Sequence, residues 1–114
     1  MIVNYKLGEK IISLEYDDDE MFMDYAELLI ELDEVDDALE LLEEGLKKHP
    51  DSDDIHLMMA GYLMAITKYA DAFEHIKLAN NIDGEAFDKF VEYFPELLED
   101  ETSKKVIEQI KASL

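Results

Sequence analysis

Residues 19–52 read DEMFMDYAELLIELDEVDDALELLEEGLKKHPDS, and residues 53–86, which follow directly, read DDIHLMMAGYLMAITKYADAFEHIKLANNIDGEA. Laid over each other at an offset of 34 residues, they pair Tyr25 with Met59, Ala26 with Ala60, Leu29 with Leu63, Ala38 with Ala72, Leu42 with Ile76 and Gly45 with Ala79. A repeat of this length implies stacked helical hairpins. One such hairpin cannot bury its apolar side alone, so neighbours stack and leave a concave surface suited to holding another protein.

Within the first copy, Phe22, Tyr25, Ala26, Leu28, Leu29 and Leu32 recur at steps of three and four, which predicts a helix over about 19–32 with a broad buried side. Asp17 or Asp18 is placed to cap it. Asp33 is expected to cap a second helix over about 34–48, in which Val35, Ala38, Leu39, Leu42 and Leu46 face inward until Pro50 ends it. The second copy repeats the plan. Asp51 or Ser52 caps a helix over about 53–66, Thr67 takes the place of Asp33, and a fourth helix runs over about 68–80, closed by Asn80, Asn81 and Gly84. A weaker third copy spans 87–114: one helix buries Phe87, Phe90, Val91 and Phe94 until Pro95 breaks it. Thr102 or Ser103 then caps a last helix striped with Val106, Ile107, Ile110 and Leu114. Residues 1–16 fit no repeat and read as an irregular segment, because Gly8 interrupts any helix from Ile2. The repeat domain is 17–114.

Composition narrows the function. The 114 residues carry 30 acids against 10 lysines, a formal charge of −20, with no arginine and no cysteine. Nucleic acid and anionic membranes as partners are disfavoured, since both require a cationic surface. A disulfide framework, a thiol nucleophile and a zinc–thiolate site are excluded. Neither a signal-peptide pattern nor an apolar run of membrane-spanning length occurs, so a cytoplasmic protein is expected.

These spacings resemble the tetratricopeptide repeat. That family sets a large residue at repeat position 4, a leucine-like then a small residue at 7 and 8, a large one at 11, small ones at 20 and 27, an apolar one at 24 and proline at 32. The first copy supplies Phe22, Tyr25, Ala26, Leu29, Ala38, Gly45, Leu42 and Pro50 at these positions. In the second copy His56 and Gly84 depart from the pattern, while Met59, Ala60, Leu63, Ala72, Ile76 and Ala79 keep it. The third keeps Phe90, Tyr93, Val106, Ile110 and Ser113, but Phe94 stands where a small residue belongs.

The resemblance implies an all-α fold, a right-handed superhelix of antiparallel helical hairpins with two good repeats and one degenerate one. It also implies a groove lined by the first helix of each hairpin. By position that lining is Glu20, Met23, Glu27, Ile30 and Glu31, then Asp54, Leu57, Gly61, Met64 and Ala65, then Asp88 and Val91. Family members that clamp a peptide carboxylate use lysine, arginine and asparagine here, and this chain has none of them at these sites. Its groove reads as apolar with an acidic rim.

Other clusters have simpler explanations. Met21, Met23, Met58, Met59 and Met64 divide between core filling, which the repeat assigns to Met59, and an adaptable groove surface for Met23 and Met64. Asp17–Glu20 and Asp51–Asp54 lack the glycine of a calcium loop and lie where helix caps belong. His49, His56 and His75 show no paired ligand spacing, and no nucleophile elbow, phosphate loop or dinucleotide fingerprint occurs, so no metal, cofactor or catalysis is expected. From Ile11 to Leu46 there are fifteen acids and no base. The reading is a non-catalytic adaptor that binds a basic or amphipathic protein segment. The alternatives are a small chaperone for an aggregation-prone client and an acidic mimic of nucleic acid.

Overall fold

A computed structural model describes residues 2–114, which divide into two compact units, one running to Ile55 and the other from His56 to Leu114. The elements in order are strands β1 (Val3–Leu7) and β2 (Lys10–Leu14), then helices α1 (Asp19–Glu31), α2 (Val35–Lys48), α3 (Asp53–Ala65), α4 (Tyr69–Ile82) and α5 (Ala86–Tyr93), a 3-10 turn (Pro95–Glu99) and α6 (Glu101–Ser113). The fold is mostly helical, as the repeat requires, with one small sheet added.

That sheet corrects the expectation of an irregular N-terminal segment. β1 and β2 pair antiparallel from Val3↔Leu14 to Leu7↔Lys10 across a two-residue turn, Gly8-Glu9. Gly8 has φ +63°, the conformation that a primed hairpin turn needs at its first position. Tyr5, Leu7, Ile12 and Leu14 are buried while Asn4, Lys6, Ile11 and Ser13 are exposed, so one side of the pleat serves the core.

In the first unit β1 and α1 both pack against α2, and Phe22 is the hub. Its ring meets Tyr5 edge-on at 5.2 Å and His49 at 6.1 Å. A Cβ on Gly45 would stand 3.0 Å from Cγ of Phe22 and 3.1 Å from Cδ1 of Ile55, which is why repeat position 27 holds the smallest residue here. His49 Nε2 donates to the Asp17 carbonyl at 2.5 Å, holding the end of α2 against the entry to α1.

Capping follows the sequence in part. Asp18 accepts the Met21 N–H at 3.0 Å, and the Ser52 hydroxyl accepts the Ile55 N–H at 3.2 Å. Asp33 and Thr67 do not cap the following helices. Each ends the preceding one in a left-handed conformation, φ +60° and +62°. Around Asp33, its own N–H reaches Ile30 O at 3.0 Å and Glu34 N–H reaches Leu29 O at 2.8 Å; around Thr67 the matching bonds go to Met64 O at 3.0 Å and from Lys68 to Leu63 O at 2.9 Å. This is a Schellman closure, which glycine favours. A β-branched residue there opposes its own sterics by about 1–2 kcal/mol. Thr67→Gly is therefore expected to raise stability by about 1 kcal/mol, read as a higher urea midpoint with an unchanged slope.

In the second unit α4 packs on α5, and the 3-10 turn packs on α5 and α6. Asn80 and Asn81 lie inside α4, which runs on to Ile82, so they do not close it. Pro95 starts the 3-10 turn, and Asp100 rather than Thr102 or Ser103 caps α6, its carboxylate accepting the Ser103 N–H at 2.9 Å. That bond holds the Asp100 carboxyl below the ordinary aspartate range. Ile107 and Ile110 are buried, Val106 is half-buried and Leu114 is exposed.

Candidate protein-binding surface

On α1, repeated steps of three and four bring Met23, Glu27 and Ile30 to one side, with Glu20 and Glu31 beside them. Met23 and Ile30 are half-buried, and Glu20, Glu27 and Glu31 are exposed. This part of the expected groove is an accessible apolar strip bordered by carboxylates.

On α3 the arrangement is different. Asp54 is half-buried and Ala65 exposed, but Leu57, Gly61 and Met64 are buried. The cause at Gly61 is internal to the second unit: the Phe94 ring tip occupies the space that a Cβ would need, overlapping it with Cζ, Cε1 and Cε2. Phe94 is held there between Tyr62, edge-on at 5.9 Å, and Phe90 at 5.5 Å. Leu57, Gly61 and Met64 are therefore core positions, and the expectation that they line an open groove is corrected. On α5, Asp88 is exposed and Val91 half-buried.

Charge distinguishes the first unit further. Of the four lysines before residue 56, Lys10 pairs with Glu34 and with Asp37 at 3.0 Å, Lys47 with Glu44 at 3.0 Å and Lys48 with Asp17 at 3.7 Å. The two carboxylate hydrogen bonds raise the Lys10 pKa above the ordinary lysine value. Among the described residues no carboxylate of α1 makes an ion pair, so Asp19, Glu20, Asp24, Glu27 and Glu31 keep their charge uncompensated. Tyr5, buried beneath, has its phenol pKa raised by burial and then by the nearby charges of Asp17 and Glu44.

The histidines are structural in their contacts. His56 is buried, and its Nδ1 lies 2.9 Å from Nδ1 of His75, a bond in which one ring donates and the other accepts. Among the described residues no group of three or more histidines and acids is arranged to hold a metal ion. No helix is long and apolar enough to cross a membrane.

The family model of the tetratricopeptide repeat matches residues 19–62, which take in α1, α2 and most of α3. A comparison with curated proteins finds no match. The geometry agrees with the match: Ala26, Ala38 and Gly45 are buried at the small positions, as are Ala60, Ala72 and Ala79 one repeat later. With that match and these helical hairpins, the chain carries a tetratricopeptide repeat, the kind of unit that serves as a protein–protein interaction module.

Proposed function

We propose that the protein is an adaptor whose α1 surface takes a basic or amphipathic segment of another protein. The observation behind this reading is the strip Met23, Ile30 with its uncompensated carboxylates Glu20, Glu27 and Glu31. An amphipathic helix would place aliphatic side chains on the methionine and isoleucine and lysines or arginines on the rim, the helix-on-surface mode of recognition. Half-buried Met23 supplies adaptable contact area, and the carboxylates supply long-range attraction.

A lysine-rich amphipathic peptide of helical period is the probe, followed by stopped-flow fluorescence as salt is varied. Association should slow by about tenfold from low to physiological salt, because exposed charges are screened beyond about 8–10 Å. Glu27→Gln with Glu31→Gln should slow it at low salt and flatten the dependence, while Met23→Ala should speed dissociation with little change in melting. A rate indifferent to both salt and the glutamine pair would remove α1 from the mechanism.

A further inference from the structure

The second unit has a binding surface of a different character. A cleft of about 390 Å³ opens between α4 and α6, lined by Tyr69, Ala70, Phe73, Val106, Gln109 and Ile110 among others. That is the size of a small ligand pocket, and its walls are mainly apolar. Around it lies most of the chain's free positive charge. Five of the ten lysines, Lys68, Lys77, Lys104, Lys105 and Lys111, belong to α6 or to α4 and its N-cap. Lys77 pairs with Glu74 at 3.5 Å and stands 5.8 Å above the Phe73 ring, but Lys68, Lys104, Lys105 and Lys111 make no ion pair among the described residues. An occupant that complements this surface carries aliphatic side chains between carboxylates.

The chain itself presents such a segment. Leu28 and Leu32 are 45% and 60% exposed, one turn apart on α1 and its C-cap, and Asp24, Glu27 and Glu31 surround them with charge that no lysine compensates. At 3.6 residues per turn they lie about 130° around the helix from Met23 and Ile30, on the other flank. We propose that the α4/α6 cleft receives the Leu28/Leu32 flank of α1 from a second copy of this chain. The two leucines enter the apolar cleft, and the α1 carboxylates meet Lys68, Lys105 and their neighbours. Because the two surfaces differ, the contact is heterologous, and each docked copy still offers one free flank and one free cleft.

The surface lies apart from the strip of the proposed function, and salt acts on it in the opposite direction. Two copies of formal charge −20 repel at long range, so self-association should strengthen as salt rises to physiological levels, whereas a basic ligand on the Met23 strip binds less well. The experiment is sedimentation velocity on the full chain from low to high micromolar concentration. Wild type is expected to grow in size with concentration. Ala70→Glu fills the cleft at an exposed helical position, and Leu28→Glu with Leu32→Glu blunts the flank; each variant alone should stay monomeric with a wild-type helical spectrum. Mixed in equal amounts they should form a dimer and nothing larger, because one supplies the intact flank and the other the intact cleft. A wild type that remains monomeric at every concentration and salt, variants that associate like wild type, or a mixture that does not re-form the dimer would each overturn the proposal. Basic-peptide binding that persists in the Leu28→Glu, Leu32→Glu variant keeps the two surfaces separate.

Discussion

Gly61→Ala is expected to destabilise the second unit by about 2 kcal/mol, although alanine in a helix is ordinarily more favourable than glycine by about 1 kcal/mol. The reversal comes from one neighbour. Phe94 is 9% exposed, and its ring tip sits where the new methyl must go, with Tyr62 and Phe90 leaving it little room to withdraw. Phe94→Ala alone should cost about 3–5 kcal/mol, since it empties a buried aromatic site. In the Phe94→Ala background, Gly61→Ala should then become neutral or stabilising by up to about 1 kcal/mol, because the obstacle is gone and only the helix preference remains. Urea melts of the four proteins give the coupling directly. If Gly61→Ala costs the same in both backgrounds, the ring is not what forbids the methyl group.

The same pair shows what the sequence could and could not reveal. Phe94 departs from the repeat pattern by putting a large ring at a small position, and Gly61 is small at a position where the repeat does not demand it. Each is visible alone. Their complementarity is not, because 33 residues separate them and only the packing of the second unit brings them together. Hence Leu57, Gly61 and Met64 read as groove residues by position, while Met23, Glu27 and Ile30 on α1 remain accessible. Helix extents were legible to within about two residues, since apolar spacing and Asp18 or Ser52 at the starts are local signals. The hairpin was legible in retrospect: Tyr5, Leu7, Ile12 and Leu14 alternate around Gly8-Glu9, but five-residue strands offer few periods against which to test a pattern. Asp33 and Thr67 stand next to the following helices in sequence, so they resemble caps, and only their positive φ assigns them to the helices before. The small positions Ala38, Gly45 and Ala72 could be recognised from the repeat because close helix approach is the reason for their size.

Removing α6 by ending the chain after Asp100 should unfold much of the second unit. The helix contributes Ile107 and Ile110, 4% and 3% exposed, and it packs on the 3-10 turn that carries the buried Leu97. Two buried isoleucines stabilise by about 3–6 kcal/mol together, a large part of the 5–15 kcal/mol that holds a domain of ordinary stability. Lys104, Lys105, Glu108 and Lys111 are exposed on the other side, so α6 has the form of a terminal cap with a wet outer surface. The truncated protein should lose amide-exchange protection in α4 and α5 and expose apolar surface that binds a hydrophobic dye, while α1, α2 and the hairpin keep their protection. Full-length Ile107→Ala with Ile110→Ala should show the same regional loss in milder form, which guards against an effect of chain shortening alone. A truncated chain that stays soluble, monomeric and cooperative, with the melting profile of the intact protein, would show that α6 does not hold the second unit together.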